Sequence, residues 1–213
     1  MIMSLIPPEI PPPGPDIPRP DHGTPPVPLW PALVDEDPAV NARSALLRQR
    51  RVLLTGTLDD HTVTRAATEL MLLDGESSQQ VELIVNSDGG PLPDVLALLD
   101  VVSLMRAPVA TRCIGRAVGT AAVVRASGTA GRGAAANAMI TLRLRERYDV
   151  DGRAIDVERF AGHLAGVRER IEAHLAAVTD LRGDDIRYAL DDSGPLSAEM
   201  ARDRGIIDEV LSH

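Results

Sequence analysis

The sequence of 213 residues contains no lysine, so all 22 of its basic residues are arginines. This absence excludes a serine–lysine dyad, a Schiff-base lysine and the lysine of a phosphate-binding loop. The single cysteine, Cys113, cannot form an intramolecular disulfide, and we predict a buried, reduced thiol. Aromatic residues make up only 2% of the chain, so the core must consist of leucine, valine, isoleucine and alanine.

The chain also lacks a long apolar run and an excess of positive charge. No apolar segment approaches the roughly 18 residues that a membrane span needs, and the N-terminus has no basic start followed by a continuous apolar centre. The formal net charge is −9, which argues against the nucleic-acid backbone as a partner. We therefore expect a cytoplasmic protein that binds neither nucleic acid nor membrane.

Proline divides the sequence into two parts. Residues 1–43 hold 13 of the 17 prolines, and we expect this segment to be an extended, largely disordered tail. Residues 44–213 form the predicted folded domain, in which short apolar strands alternate with helices. Repeated strand–helix units favour a parallel sheet covered by helices. The strands are predicted at 51–55, 81–85, 109–114, 139–144 and 206–210, and the helices at 59–73, 92–105, 120–127, 155–178, 184–190 and 197–204.

Two glycine turns follow two of the predicted strands and mark the candidate site. Residues 114–122 read I-G-R-A-V-G-T-A-A, a strand, turn and helix of the kind that presents a serine nucleophile in many hydrolases. Gly119, which has no side chain, stands at the centre of this turn. The other turn contains Gly89 and Gly90. Backbone N–H groups of such turns can hold an oxyanion, and we predict this role for Gly89, Gly90 and Thr120.

Five motifs in the same order resemble the ClpP family, the proteolytic subunits of ATP-dependent Clp proteases. The resemblance covers about residues 46–211, nearly everything beyond the proline-rich segment. The matching segments are 85–91 (V-N-S-D-G-G-P, similar to I-N-S-P-G-G-S), 113–121 (C-I-G-R-A-V-G-T-A, similar to C-I-G-M-A-A-S-M-G), 136–145 (similar to P-N-A-x-I-M-I-H-Q-P), 167–171 (V-R-E-R-I) and 197–210 (similar to S-A-E-E-A-x-E-Y-G-L-I-D-E-V).

The resemblance implies a ClpP/crotonase-like α/β spiral of repeated β-β-α units with a protruding handle helix. It also implies a ring oligomer of ClpP-family subunits, expected to be heptameric, that works with an AAA+ unfoldase and needs no cofactor or metal. The departures concern the catalytic triad. The family's serine, histidine and aspartate fall on Gly119, Arg143 and Ser193. We therefore predict a catalytically inactive subunit with a structural or regulatory role.

Alternatives to this interpretation remain open at the level of sequence. A site rebuilt from nearby groups would draw on Thr120, Ser87, Asp191, Asp192 or the histidines of helix 155–178, and would leave a residual serine-type endopeptidase. A crotonase-like acyl-CoA enzyme would use the glycine turns, although no convincing glutamate base follows either turn. As a further hypothesis, Arg143 forms an ion pair with Asp191 or Asp192 in the former site.

Other departures bear on assembly. Residues 145–151, R-E-R-Y-D-V-D, replace the glycine-rich strand by which two family rings interlock, so we expect ring-to-ring stacking to be weakened. The outward tyrosines that help the family to receive the unfoldase loop fall on Glu82 and Ile84, which weakens the expectation of direct unfoldase docking.

Overall fold

The computed structural model describes residues 38–144 and 153–212, all of which fall within one compact unit, Asp37–His213. Helices and strands alternate along most of this unit. The helices are α1 (Pro38–Arg48), α2 (Asp60–Glu76), α3 (Leu92–Leu104), α4 (Thr120–Ala126), α5 (Ala154–Val178), α6 (Gly183–Asp192) and α7 (Ala198–Asp203). The strands are β1 (Arg51–Thr57), β2 (Val81–Gly89), β3 (Val109–Val118), β4 (Arg132–Ala135), β5 (Met139–Thr141), β6 (Leu196–Ser197) and β7 (Glu209–Leu211).

The seven strands form one sheet with the order β1-β2-β3-β4-β7, and all of these neighbours are parallel. Strand β3 has two partners on the same side. Its residues 111–113 pair with β4, and its residues 116–118 pair with β5. Strand β5 in turn pairs antiparallel with β6. The predicted α/β fold with a parallel sheet is confirmed, as the resemblance to the ClpP family implies.

The core lies between the sheet and its helices and is almost entirely aliphatic. Alternate residues of β2, such as Val81, Leu83 and Val85, are fully buried against the helices, as the two-residue period of a strand requires. Cys113 is also buried and has no disulfide partner, as predicted. Burial raises the pKa of its thiol to about 11. Arg125 of α4 is the one fully buried cation among the described residues.

The sequence pattern located most elements but missed three. Helix α1 begins at Pro38, so the predicted extended tail is wrong for residues 38–43. Proline is well suited to the first turn of a helix, and Arg43 holds α1 in place by ion pairing with Glu69 at 2.6 Å. Residues 1–37, the rest of the predicted tail, lie outside the described residues. The short strands β4 and β6 were not predicted, because four and two residues carry too little periodicity.

No helix within 38–144 and 153–212 is long and apolar enough to cross a membrane. In the same part of the chain, no group of three or more histidine, cysteine, aspartate or glutamate side chains is arranged to hold a metal ion.

Candidate active site

The two glycine turns predicted from the sequence meet in one cavity of about 220 Å³. The cavity lies at the carboxyl ends of β2 and β3, because parallel strands bring the turns that follow them to the same edge of the sheet. The segment after β5 closes the cavity from a third direction. It is lined by Asp88, Gly89, Gly90, Val118, Gly119, Thr120, Arg143 and Leu144.

Gly119 adopts the backbone conformation of a nucleophile turn, with φ 57° and ψ −123°. The turn is fixed on both sides, since the Gly119 N–H donates to Thr141 O at 2.7 Å and its carbonyl accepts from Ala122 N at 3.0 Å. A positive φ favours glycine over any residue with a side chain. A Cβ at this position would also lie 3.3 Å from Arg143 O. The local geometry that presents a nucleophile is therefore present, without a side chain at its centre.

The Gly89–Gly90 turn is packed tightly against its surroundings. Gly89 has a φ of 85°, and its N–H donates to the Ser87 hydroxyl at 3.0 Å. Gly90 presses against Leu58, so that an added Cβ would lie 2.6 Å from the Leu58 carbonyl carbon. The glycines are thus required for the close approach of two backbones as well as for any exposure of N–H groups to the cavity.

The Thr120 side chain contacts the Gly90 backbone twice. Its hydroxyl oxygen accepts a hydrogen bond from Gly90 N at 2.8 Å, and the hydroxyl donates to Gly90 O at 3.1 Å. Thr120 is only 2% exposed. Of the N–H groups predicted to hold an oxyanion, those of Gly89 and Gly90 therefore both have intramolecular acceptors. The sequence analysis considered Thr120 for its N–H and its hydroxyl but not for this contact.

The structure brings together two of the three positions that match the family triad. Gly119 and Arg143 line the same cavity. Ser193 instead lines a separate cavity of about 360 Å³ beside α6. Its buried hydroxyl donates to Ala189 O at 2.6 Å, which completes the last turn of that helix. Ser193 is therefore engaged in a local helix-end contact.

The predicted ion pair between Arg143 and an aspartate of α6 is wrong. Asp191 accepts from Arg168 at 2.8 Å, because α5 passes alongside α6 and offers its own arginine. No ion pair joins Asp192 or Arg143 to any residue within the described ranges.

The other groups considered for a rebuilt site are occupied or lie elsewhere. The Ser87 hydroxyl donates to Gly56 O at 2.5 Å. His163 is exposed on α5. His174 lies 2.9 Å from the Ser127 hydroxyl, measured from Nε2 to Oγ, on the side of α4 that faces α5, and burial lowers the pKa of its imidazole. Neither imidazole, and no glutamate, is among the described residues that line the Gly119 cavity.

A row of alternating charges, the charged ladder, lies on the sheet at Glu82, one of the two positions that match the family's tyrosines. Glu82 accepts from Arg51 at 2.8 Å and from Arg112 at 3.3 Å. Arg112 continues the ladder by pairing with Glu209, and it passes directly over Gly133, where a side chain would collide with the guanidinium. This face therefore offers alternating, mutually neutralised charges in place of aromatic rings.

An apolar groove of about 290 Å³ lies between the C-terminal ends of α2 and α3. The largest exposed side chains on it are Leu104, which is 81% exposed, and Met71, which is 61% exposed. This groove was not predicted from the sequence. Leu104 lies two residues after Val102, about 200° around a helix of 3.6 residues per turn, so it falls on the face of α3 opposite the buried Leu99 and Val102.

Comparison with known proteins identifies the family. The family model for Clp protease matches residues 35–213. The chain is 30% identical over 175 residues to the ATP-dependent Clp protease proteolytic subunit 2 of Corynebacterium jeikeium, covering 81% of this chain and 84% of that relative. It is 30% identical over 176 residues to proteolytic subunit 1 of Thermobifida fusca, covering 82% and 79% of the two chains. It is also 30% identical over 169 residues to proteolytic subunit 2 of Frankia casuarinae, covering 79% and 78%.

The family match spans both glycine turns, the cavity that they form and the parallel sheet beneath them. The expectation drawn from the five sequence motifs is thereby confirmed, and this chain belongs to the Clp protease family.

Proposed function

We propose that this chain is a catalytically inactive subunit of a Clp protease system, with a structural or regulatory role in the ring. The observation that carries the proposal is the cavity at Gly119. It keeps the turn that presents a nucleophile, but the described side chains that line it supply neither a nucleophilic hydroxyl free to react nor a base. The scaffold is retained, while the described part of the site has no residues to perform peptide hydrolysis.

Serine-type hydrolysis requires a hydroxyl whose proton is taken by a neighbouring base, and the base requires a partner that holds its tautomer. Arg143 cannot act as that base, because a guanidinium carries five N–H donors and no acceptor for the proton. The hydroxyls closest to the cavity, those of Ser87 and Thr120, both donate to backbone carbonyls. These contacts argue against a residual endopeptidase built from substitute groups. The described lining of the cavity contains no glutamate, which likewise gives no support to a crotonase-like acyl-CoA enzyme.

The partners that fit this proposal are other ClpP-family subunits, in a ring expected to be heptameric and either mixed with active relatives or made of this chain alone. Such a ring would work in cytoplasmic protein quality control. Residues 145–151, on which the expected weakening of ring-to-ring stacking depends, lie outside the described residues.

For an AAA+ unfoldase, the apolar groove between α2 and α3 offers a surface that a short apolar loop can fill. The charged ladder around Glu82 does not offer an apolar surface of this kind.

The proposal predicts that a fluorophosphonate probe for active serines will not label the purified protein. The Gly119→Ser variant is also expected to show no peptidase activity, because Arg143 and Ser193 still replace the base and its partner. We further expect this variant to lose about 1–2 kcal/mol of stability, since a residue with a Cβ is strained at a φ of 57° and the Cβ meets Arg143 O.

An active Clp protease subunit treated in parallel serves as the positive control for the probe and for turnover of a small fluorogenic peptide. Labelling of the unmodified protein, or measurable turnover by Gly119→Ser alone, would contradict the proposed function.

A further inference from the structure

We infer that Thr120 is a fourth determinant of inactivity, because its hydroxyl occupies the position at which the Gly89–Gly90 turn would hold an oxyanion. The inference rests on the proposed function and deepens it. It assigns a role to a residue that matches no member of the family triad. Thr120 acts on the Gly90 backbone and is a blocking residue, not a catalytic one.

The contact satisfies both polar groups of Gly90. The Thr120 oxygen lies 2.8 Å from Gly90 N, within the range of a well-formed N–H···O bond. The same oxygen lies 3.1 Å from Gly90 O, to which its proton is donated. The Gly90 N–H, which a tetrahedral intermediate would require as a donor, is therefore already bonded to the Thr120 hydroxyl. The Gly90 carbonyl, with which an extended peptide backbone could pair, is bonded to the same hydroxyl.

Neither side of this contact is free to move away. Gly90 is pressed against the Leu58 backbone on its other side, and Gly89 approaches so closely that an added Cβ would lie 2.9 Å from the Thr120 hydroxyl oxygen. Thr120 is itself buried at the start of α4, and its branched Cβ restricts χ1. The hydroxyl is consequently held at Gly90 and does not sample many rotamers.

An oxyanion is stabilised only by donors that lie about 2.7–3.1 Å from it and are free to point at it, and removing one such donor typically lowers turnover by about 10²–10³-fold. A substrate oxygen could recruit the Gly90 N–H only by displacing the Thr120 hydroxyl. Restoring the triad side chains alone would therefore leave the site without this donor.

The direct test is amide hydrogen exchange read at Gly90. Thr120→Val keeps the size and branching of the side chain but removes the acceptor, and we expect the Gly90 amide to exchange at least about tenfold faster while amides in the centres of β2 and β3 are unchanged. Thr120→Ser retains the hydroxyl and is the matched control, with exchange at Gly90 close to that of the unmodified protein. Unchanged exchange in Thr120→Val, or equal acceleration in both variants, would overturn the inference.

A second measurement uses a chain in which Gly119→Ser, Arg143→His and Ser193→Asp are combined. Adding Thr120→Val to this background is expected to raise peptidase turnover by about 100-fold, whereas adding Thr120→Ser is not. Equal and measurable turnover with and without Thr120→Val would count against the inference. Both measurements are separate from the proposed function, which fails instead if the unmodified protein is labelled by the serine probe.

Discussion

Replacing Gly90 with alanine is expected to lower the free energy of unfolding by about 3 kcal/mol, the largest destabilisation that we expect from a single methyl group in this chain. The new Cβ would lie 2.6 Å from the carbonyl carbon and 3.0 Å from the Cα of Leu58. Both are backbone atoms in the connection between β1 and α2, so neither can swing aside as a flexible side chain could. The loss should be measured by urea denaturation followed by circular dichroism.

Gly194→Ala is the matched control. Gly194, like Gly90, lies outside the helices and strands and has no positive φ, but it has nothing within 4 Å of an added Cβ. Its effect should be confined to the smaller entropy of the unfolded chain, a gain of about 0.4–1 kcal/mol. The difference between the two variants isolates the close approach of Gly90 to Leu58. A Gly90→Ala variant as stable as Gly194→Ala would mean that the turn can shift to admit a side chain.

Replacing Arg125 with methionine is expected to raise the free energy of unfolding by about 2 kcal/mol and the melting temperature by about 5 °C. Arg125 is 0% exposed, and its Nε and one terminal nitrogen have no hydrogen-bond partner within the described residues. Within the described residues its side chain makes one hydrogen bond, from the other terminal nitrogen to Ile206 O at 3.0 Å. Burial lowers the pKa of this guanidinium to about 10, which reflects the cost of keeping a charge in the core.

Methionine suits this position because it keeps a long apolar stem and removes only the charged end. Arg125→Lys is the control, since it retains the charge while losing the planar group that reaches Ile206, and it should be less stable than the unmodified protein. The melting temperatures of both variants can be compared by calorimetry. A methionine variant that melts at a lower temperature than the unmodified protein would indicate that Arg125 has a stabilising partner.

The sequence predicted the parts of the molecule that depend on strong local patterns. Strand β3 and the turn at Gly119 follow from an apolar run and a glycine, which act over a few positions. The convergence of Gly90 and Gly119 followed from parallel strand order. Arg143 also lies at the cavity, as the match to the family implied.

The features that were not predicted depend on contacts between distant parts of the chain. Asp191 pairs with Arg168 of α5 and not with Arg143, and this choice is set by how α5 and α6 pack. Thr120 bonds to Gly90, 30 positions earlier, because of a rotamer that no sequence pattern encodes.

These unpredicted contacts strengthen the functional proposal. In each contact, a group that could have taken part in catalysis is held instead in a hydrogen bond or an ion pair. The hydroxyl of Thr120 binds Gly90, the hydroxyl of Ser193 binds Ala189 O, and the Asp191 carboxylate binds an arginine. The apolar groove between α2 and α3, by contrast, leaves Leu104 and Met71 accessible.

The most direct test of the central claim is native mass spectrometry of this chain, alone and then mixed with an active Clp protease proteolytic subunit from the same organism. We expect ring-sized complexes, and in the mixture we expect species whose masses require both kinds of subunit. The serine probe should label only the active subunit within those mixed species. A chain that stays monomeric both alone and in the mixture would contradict the proposed role as a ring subunit.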